Sequence, residues 1–81
     1  MSLSKIFRNI LFWIRKRRTG KVKFFNYSKG YGFIRCKRLR KDIFVHATNI
    51  NKRISRGDLV VFKLIRTARG WEAKDVRPLN V

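Results

Sequence analysis

Five short runs of alternating side chains, all downstream of Gly20, limit this chain to a small all-β fold. In a half-buried strand successive side chains point to opposite faces, so apolar residues recur at every second position. Runs with this period occupy residues 21–26, 31–36, 42–46, 59–67 and 71–77, and turn-forming or charged segments separate them. No helical period follows residue 20. The pattern predicts five antiparallel strands that close into a small barrel.

The first 18 residues follow another rule, because they contain no acid, Gly or Pro and repeat with a helical period. Apolar side chains form one stripe at Leu3, Ile6, Phe7, Ile10, Leu11 and Ile14, and basic ones lie opposite at Lys5, Arg8, Arg15 and Lys16. We expect a basic amphipathic helix of about four turns, which ends near Gly20. The chain thus divides into a helix within residues 1–19 and a barrel over residues 20–81.

Aromatic side chains occupy a strand face on which polar residues are expected. The aliphatic face carries Ile34, Cys36, Ile43 and Val45, and the opposite face carries Tyr31, Phe33, Phe44 and His46. If the aliphatic face is the core, the rings form a surface patch on which nucleotide bases can stack. The alternative makes the rings the core. Residue size argues against it, as do Gly30 and Gly32, which we interpret as leaving room for a ligand near the backbone.

Charge points to a polyanionic partner. The chain has 22 Lys and Arg against 4 Asp and Glu, a formal net charge of +18, which favours nucleic acid or an anionic membrane surface.

A lone Cys36 forms no intramolecular disulfide, so we expect a cytoplasmic protein. With one His and one Cys, a zinc site of ordinary composition is excluded, and we expect no cofactor and no catalysis.

Two motifs resemble the paired RNA-binding motifs of the cold-shock domain. They are Lys-Gly-Tyr-Gly-Phe-Ile at 29–34 and Asp-Ile-Phe-Val-His at 42–46, and the likeness extends over about residues 20–79. The resemblance implies an OB-fold barrel that binds single-stranded RNA or DNA with weak sequence preference. By matching position it also implies nucleic-acid contacts from Lys23, Phe24, Lys29, Tyr31, Phe33, Phe44, His46 and Arg69, with Asp42 beside that surface.

Three further residues enter the predicted site on other grounds. Arg38 and Arg40, in the charged run beside the rings, are expected to contact phosphates. Trp71 either extends the ring patch or closes one end of the barrel, and both roles stay open.

The sequence departs from the family pattern at three places. Phe24 stands where the family usually has Trp, Ala47 replaces a commonly aromatic position, and the loop at 51–56 supplies no ring. Because basic loops compensate, we expect stronger salt dependence than in a typical member.

Two function classes follow. The first is a single-stranded nucleic-acid-binding protein of cold-shock type, acting as an RNA chaperone or a regulator of transcription or translation. The alternative is a peripheral membrane or RNA-tethering protein in which the N-terminal helix is the main functional element. The outer face of the fourth strand, at Leu59, Val61 and Ile65, is apolar. We expect the N-terminal helix to dock on this face, or a homodimer to form through the N-terminal helix or through this face, with a membrane surface less favoured.

Overall fold

The computed structural model describes residues 17–79, and all five predicted strands are confirmed. They are β1 (Arg17–Asn26), β2 (Tyr31–Cys36), β3 (Lys41–His46), β4 (Leu59–Thr67) and β5 (Gly70–Pro78), with a single 3-10 turn at Ala47–Asn49 before β4. The first strand begins at Arg17 rather than at Lys21, because Arg17 and Thr19 pair with Lys63 and Val61 of β4. Residues 17–19 are therefore strand and not helix. The rest of the predicted N-terminal helix lies outside the described residues.

The strands form a closed barrel in the order β1-β2-β3-β5-β4, with β4 returning to β1. Four neighbouring pairs are antiparallel, but β3 and β5 are parallel, with Phe44 opposite Glu72 and Val45 opposite Ala73. The prediction of a wholly antiparallel barrel was wrong for this pair. Strands that alternate in direction close into a ring only when their number is even, so five strands require one parallel pair.

The core contains the aliphatic strand face of β2 and β3 that the alternation predicted. The side chains with at most 2% of their surface exposed are Val22, Ile34, Cys36, Ile43, Val45, Ile54, Val60, Phe62, Ala73 and Val76. This set includes Ile34, Cys36, Ile43 and Val45, so the prediction that their strand faces point inward is confirmed. The alternative, in which the aromatic rings form the core, is wrong. Ile54 was not predicted, since it comes from the loop between β3 and β4 rather than from a strand.

Gly32 is required by the packing of the chain on itself. A Cβ atom at this position would lie 2.3 Å from the backbone oxygen of Phe24 and 2.6 Å from Cδ2 of Phe25. Gly32 is buried, and Phe25 pairs with it across β1 and β2. The interpretation that Gly32 makes room for a ligand was therefore wrong, because β1 fills that space.

One partly buried carboxylate joins the start of β1 to the end of β5. Asp75 accepts hydrogen bonds from the side chains of Arg17, Asn51 and Arg77, and it has a left-handed backbone with φ of 52°. The Arg17 guanidinium, followed by that of Arg77, holds the pKa of Asp75 below its usual 3.8. These contacts link β1, β5 and the loop after β3.

A second contact holds the loop between β3 and β4. The Tyr27 hydroxyl donates to the Ile54 carbonyl at 2.9 Å and accepts from the Ile54 N–H at 2.8 Å. The Ile54 side chain is fully buried.

Within residues 17–79, no helix is both long enough and apolar enough to cross a membrane.

Candidate nucleic-acid interface

Cross-strand pairing arranges side chains in three rows on the outer face of β1, β2 and β3. The rows are Lys21–Arg35–Asp42, Phe24–Phe33–Phe44 and Asn26–Tyr31–His46. The middle row depends on a bulge in β1, where Val22 pairs with Ile34 and Phe24 pairs with Phe33. The extra residue, Lys23, shifts the alternation by one position, so Phe24 faces outward and Phe25 faces Gly32.

Four rings, Phe24, Tyr31, Phe33 and Phe44, form one connected patch that we call the aromatic platform. Their centroids are 5.6 Å apart for Phe24 and Phe33, 5.8 Å for Phe33 and Phe44, and 5.9 Å for Tyr31 and Phe44. Phe24 is 39% exposed and the other three rings are half-buried. Because the core is complete without these rings, their faces are available to a ligand.

His46 extends the third row beyond Tyr31 and is exposed. Its Nδ1 lies 2.9 Å from the Thr48 hydroxyl and accepts the Thr48 backbone N–H at 3.2 Å. These contacts fix the ring at the edge of the aromatic platform. They involve no carboxylate, which agrees with a stacking or hydrogen-bonding ring rather than an acid–base group.

Asp42 anchors two cations beside the aromatic platform. Its carboxylate accepts from Lys23 Nζ at 2.8 Å and from Arg35 Nη1 at 3.2 Å. The hydrogen bond from Lys23, and then that from Arg35, lowers the pKa of Asp42 below its usual value. Arg35 was missed as a site residue. Its outward position, two residues after Phe33 on the same strand, was the signal for including it.

The remaining predicted cations lie in turns at both ends of the three rows. Lys29 is in the β1–β2 turn, where its backbone N–H binds the Asn26 side chain at 2.9 Å. Arg38 and Arg40 are in the β2–β3 turn at the opposite end. Because β3 and β5 run in parallel, the β4–β5 turn with Arg69 lies at the same end as Arg38 and Arg40. Basic side chains therefore flank the aromatic platform at both ends.

Trp71 does not join the aromatic platform. It is half-buried and packs against the core cluster, and the Arg66 guanidinium carbon lies 5.2 Å from its ring centroid. Of the ring contacts among residues 17–79, none joins Trp71 to the four platform rings. Its position favours the barrel-closing role of the two that the sequence left open.

Comparison with known proteins agrees with this geometry. A family model described as the "Cold-shock" DNA-binding domain matches residues 18–79. The chain belongs to the cold-shock domain family. A cold shock-like protein of Aquifex aeolicus is 41% identical over 65 residues, covering 75% of this chain and 93% of that protein. The cold shock-like protein CspE of Escherichia coli is 43% identical over 61 residues, covering 70% and 88%.

A solved structure supports the same architecture. The structure of Drosophila Unr CSD456 matches with a TM-score of 0.68 and 27% identity, over 79% of this chain and 27% of that one. Cold-shock domains bind single-stranded nucleic acid, and this chain is a nucleic-acid-binding protein of that type. In the part of the chain that the structure describes, no three His, Cys, Asp or Glu side chains gather as metal ligands.

Proposed function

We propose that this cold-shock domain protein traps single strands of RNA or DNA by stacking bases on the aromatic platform. The observation that carries the proposal is a connected patch of four outward-facing rings on a barrel whose core is filled by other residues. Rings on a protein surface are costly in water, and stacked bases would cover them.

Stacking explains why the ligand is single-stranded. Each base stacked on an aromatic side chain contributes about 1–3 kcal/mol, and the contribution depends little on base identity because every base has a π-face. In a duplex these faces are covered by neighbouring bases. Four rings therefore favour unpaired nucleotides over paired ones, with weak sequence preference.

The phosphate backbone is the second source of affinity. We assign it to five cations beside the aromatic platform, which we call the phosphate cations: Lys23, Lys29, Arg38, Arg40 and Arg69. Their contacts are independent of sequence and release counterions, so they add affinity that falls with salt. Asp42 accepts a hydrogen bond from Lys23 and so positions that cation beside the aromatic platform.

The consequence in the cell is an equilibrium effect. A protein that binds only the open form of a structured RNA shifts the balance toward that form by mass action. We propose on this basis that the protein is an RNA chaperone, or a regulator of transcription or translation, and that it acts in the cytoplasm.

The test is a binding titration followed by the anisotropy of labelled oligonucleotides. Oligo-U, oligo-dT and the duplex of the same oligo-dT with oligo-dA are compared at two salt concentrations. We expect both single strands to bind more tightly than the duplex, with all affinities lower at high salt. Equal affinity for the duplex and for its single oligo-dT strand would contradict stacking on the aromatic platform.

A further inference from the structure

A groove of about 1410 Å³ opens beside the aromatic platform, on the outer side of β1 and β4. Its apolar lining includes Leu59 and Leu79, each 47% exposed, and the half-buried Val61. Leu59 and Val61 belong to the apolar strand face that the sequence singled out. Exposed leucines beside a concave surface indicate a binding surface rather than packing of the barrel.

The groove is strongly basic. No acidic residue lines it among those the structure describes, and an acid, Asp58, enters only the smaller pocket of about 410 Å³ beside it. The Asp58 carboxylate accepts the Ser55 backbone N–H at 2.8 Å. Five lining cations have no ion pair within residues 17–79, and they are Arg18, Lys21, Lys37, Arg38 and Arg56.

The groove is continuous with the proposed binding surface. Arg35 and Lys23 line it, and both bind Asp42 in the row next to the aromatic platform. Arg35 follows Phe33 by two residues on β2, a rise of about 7 Å along the strand. A strand of nucleic acid that leaves Phe33 over Arg35 therefore enters the groove directly.

We propose that this groove binds the continuation of the same single strand, which extends the site beyond the aromatic platform. The inference rests on the function proposed above. The phosphates lie against the unpaired cations, and the sugars and bases cover Leu59, Val61 and Leu79. From β2 across β1 to β4 is two interstrand spacings, about 10 Å, which is the length of about three nucleotides in a stacked strand.

Charge and shape favour this occupant. A polyphosphate matches the cations that line the groove, and its sugars and base edges match the apolar residues between them. An anionic lipid surface carries the same charge, but it is flat and has no continuity with the aromatic platform. It is therefore an outcome of the test and not the proposal.

The experiment compares three proteins across a length series of oligo-dT, from about 4 to about 16 nucleotides, the range of sites on OB folds. The full chain is compared with a groove variant, Lys37→Gln with Arg56→Gln, whose two exposed cations line the groove and lie outside the three rows. The matched control is Lys52→Gln with Lys63→Gln, which removes the same charge from exposed positions that do not line the groove. Melting curves of the three proteins establish that each variant is folded.

We expect the groove variant to bind the shortest oligo-dT as the control variant does, and the longest about tenfold more weakly at 0.15 M salt. With the longest oligo-dT its log–log salt slope should be less steep than that of the control by about 1.4, the value for two lost phosphate contacts. Equal losses of affinity in both variants at every oligo-dT length would refute nucleic-acid binding in the groove, without contradicting base stacking on the aromatic platform. Failure of the full chain to bind any length would instead refute the proposed function.

A second experiment distinguishes a nucleic-acid strand from an anionic lipid surface as the occupant of the groove. The same proteins are mixed with vesicles of phosphatidylserine and phosphatidylcholine. Should the groove variant lose vesicle binding and keep the affinity of the control variant for long oligo-dT, the occupant is a lipid surface and the inference is wrong. Vesicle binding that is equal in the two variants, together with the length-dependent loss on oligo-dT, supports the nucleic-acid strand.

Discussion

Replacing Tyr27 with Phe tests how the loop between β3 and β4 is held. The Tyr27 ring packs against Phe25 with centroids 4.5 Å apart and lies 4.1 Å below the Arg53 guanidinium carbon. Its hydroxyl makes two hydrogen bonds to the backbone of Ile54, one as donor and one as acceptor. The substitution Tyr27→Phe keeps the ring contacts and removes only this bridge.

The expected loss of unfolding free energy follows from the two lost hydrogen bonds. Each contributes about 0.5–1.5 kcal/mol net, and the N–H and C=O groups of Ile54 lose their partner together. Tyr27 is 41% exposed, so water replaces part of what is lost and the lower half of the range applies. We expect the free energy of unfolding to fall by about 1–2 kcal/mol. For a domain of this size the Tm then falls by about 5–15 °C.

The assay is thermal and urea unfolding followed by circular dichroism. Tyr31→Phe is the matched control, because the Tyr31 hydroxyl has no hydrogen bond within residues 17–79. Its Tm should change little, and its affinity for oligo-dT should persist because the platform ring is retained. If Tyr27→Phe melts at the same temperature as Tyr31→Phe, the bridge to Ile54 does not stabilise the loop and the reasoning is refuted.

Three further predictions concern close packing, acid stability and salt. Gly32→Ala places a methyl group 2.3 Å from the Phe24 carbonyl oxygen, so the urea midpoint should fall by the equivalent of about 1–3 kcal/mol; an unchanged midpoint would contradict this close packing of β1 on β2. Asp75 has a pKa lowered below 3.8, chiefly by Arg17, so its contribution is complete above that value and is lost as pH falls through the folded pKa. The difference in unfolding free energy between the native chain and Asp75→Asn should therefore shrink in acid, and a constant difference would contradict the ion pair. For the five phosphate cations, the log–log salt slope of oligo-U binding should be about −3.5, and a slope near zero would exclude the electrostatic contribution.

The alternation of side chains predicted the strands and their facing because both are local properties. Ile34 and Ile43 alternate with Phe33 and Phe44, and the structure buries the first pair in the core and leaves the second pair half-buried on the outer face. Trp71 also shares a period of two with the buried Ala73 on the same strand. That relation favours the barrel-closing role of Trp71 over a place in the ring patch.

Features set by distant pairing were beyond the sequence pattern. The start of β1 at Arg17 depends on its partner Lys63 in β4, and the parallel pairing of β3 with β5 follows from closing five strands. The outward position of Phe24 depends on the β1 bulge, which the alternation alone does not reveal. The family resemblance placed Phe24 among the nucleic-acid contacts without predicting the bulge. Ile54 entered the core through a hydrogen-bonded loop contact without any periodic signal.

The most direct test of the account is the affinity of Phe33→Ala for oligo-dT. Phe33 contacts Phe24, Tyr31 and Phe44, so its removal opens the centre of the aromatic platform. The control is Ile65→Ala, an outward and half-buried aliphatic residue on β4. We expect Phe33→Ala to remain folded and to lose about 1–3 kcal/mol of binding free energy, or about 5-fold to 150-fold in Kd. Ile65→Ala should bind as the native chain does. A folded Phe33→Ala protein with the affinity of Ile65→Ala would contradict base stacking on the aromatic platform.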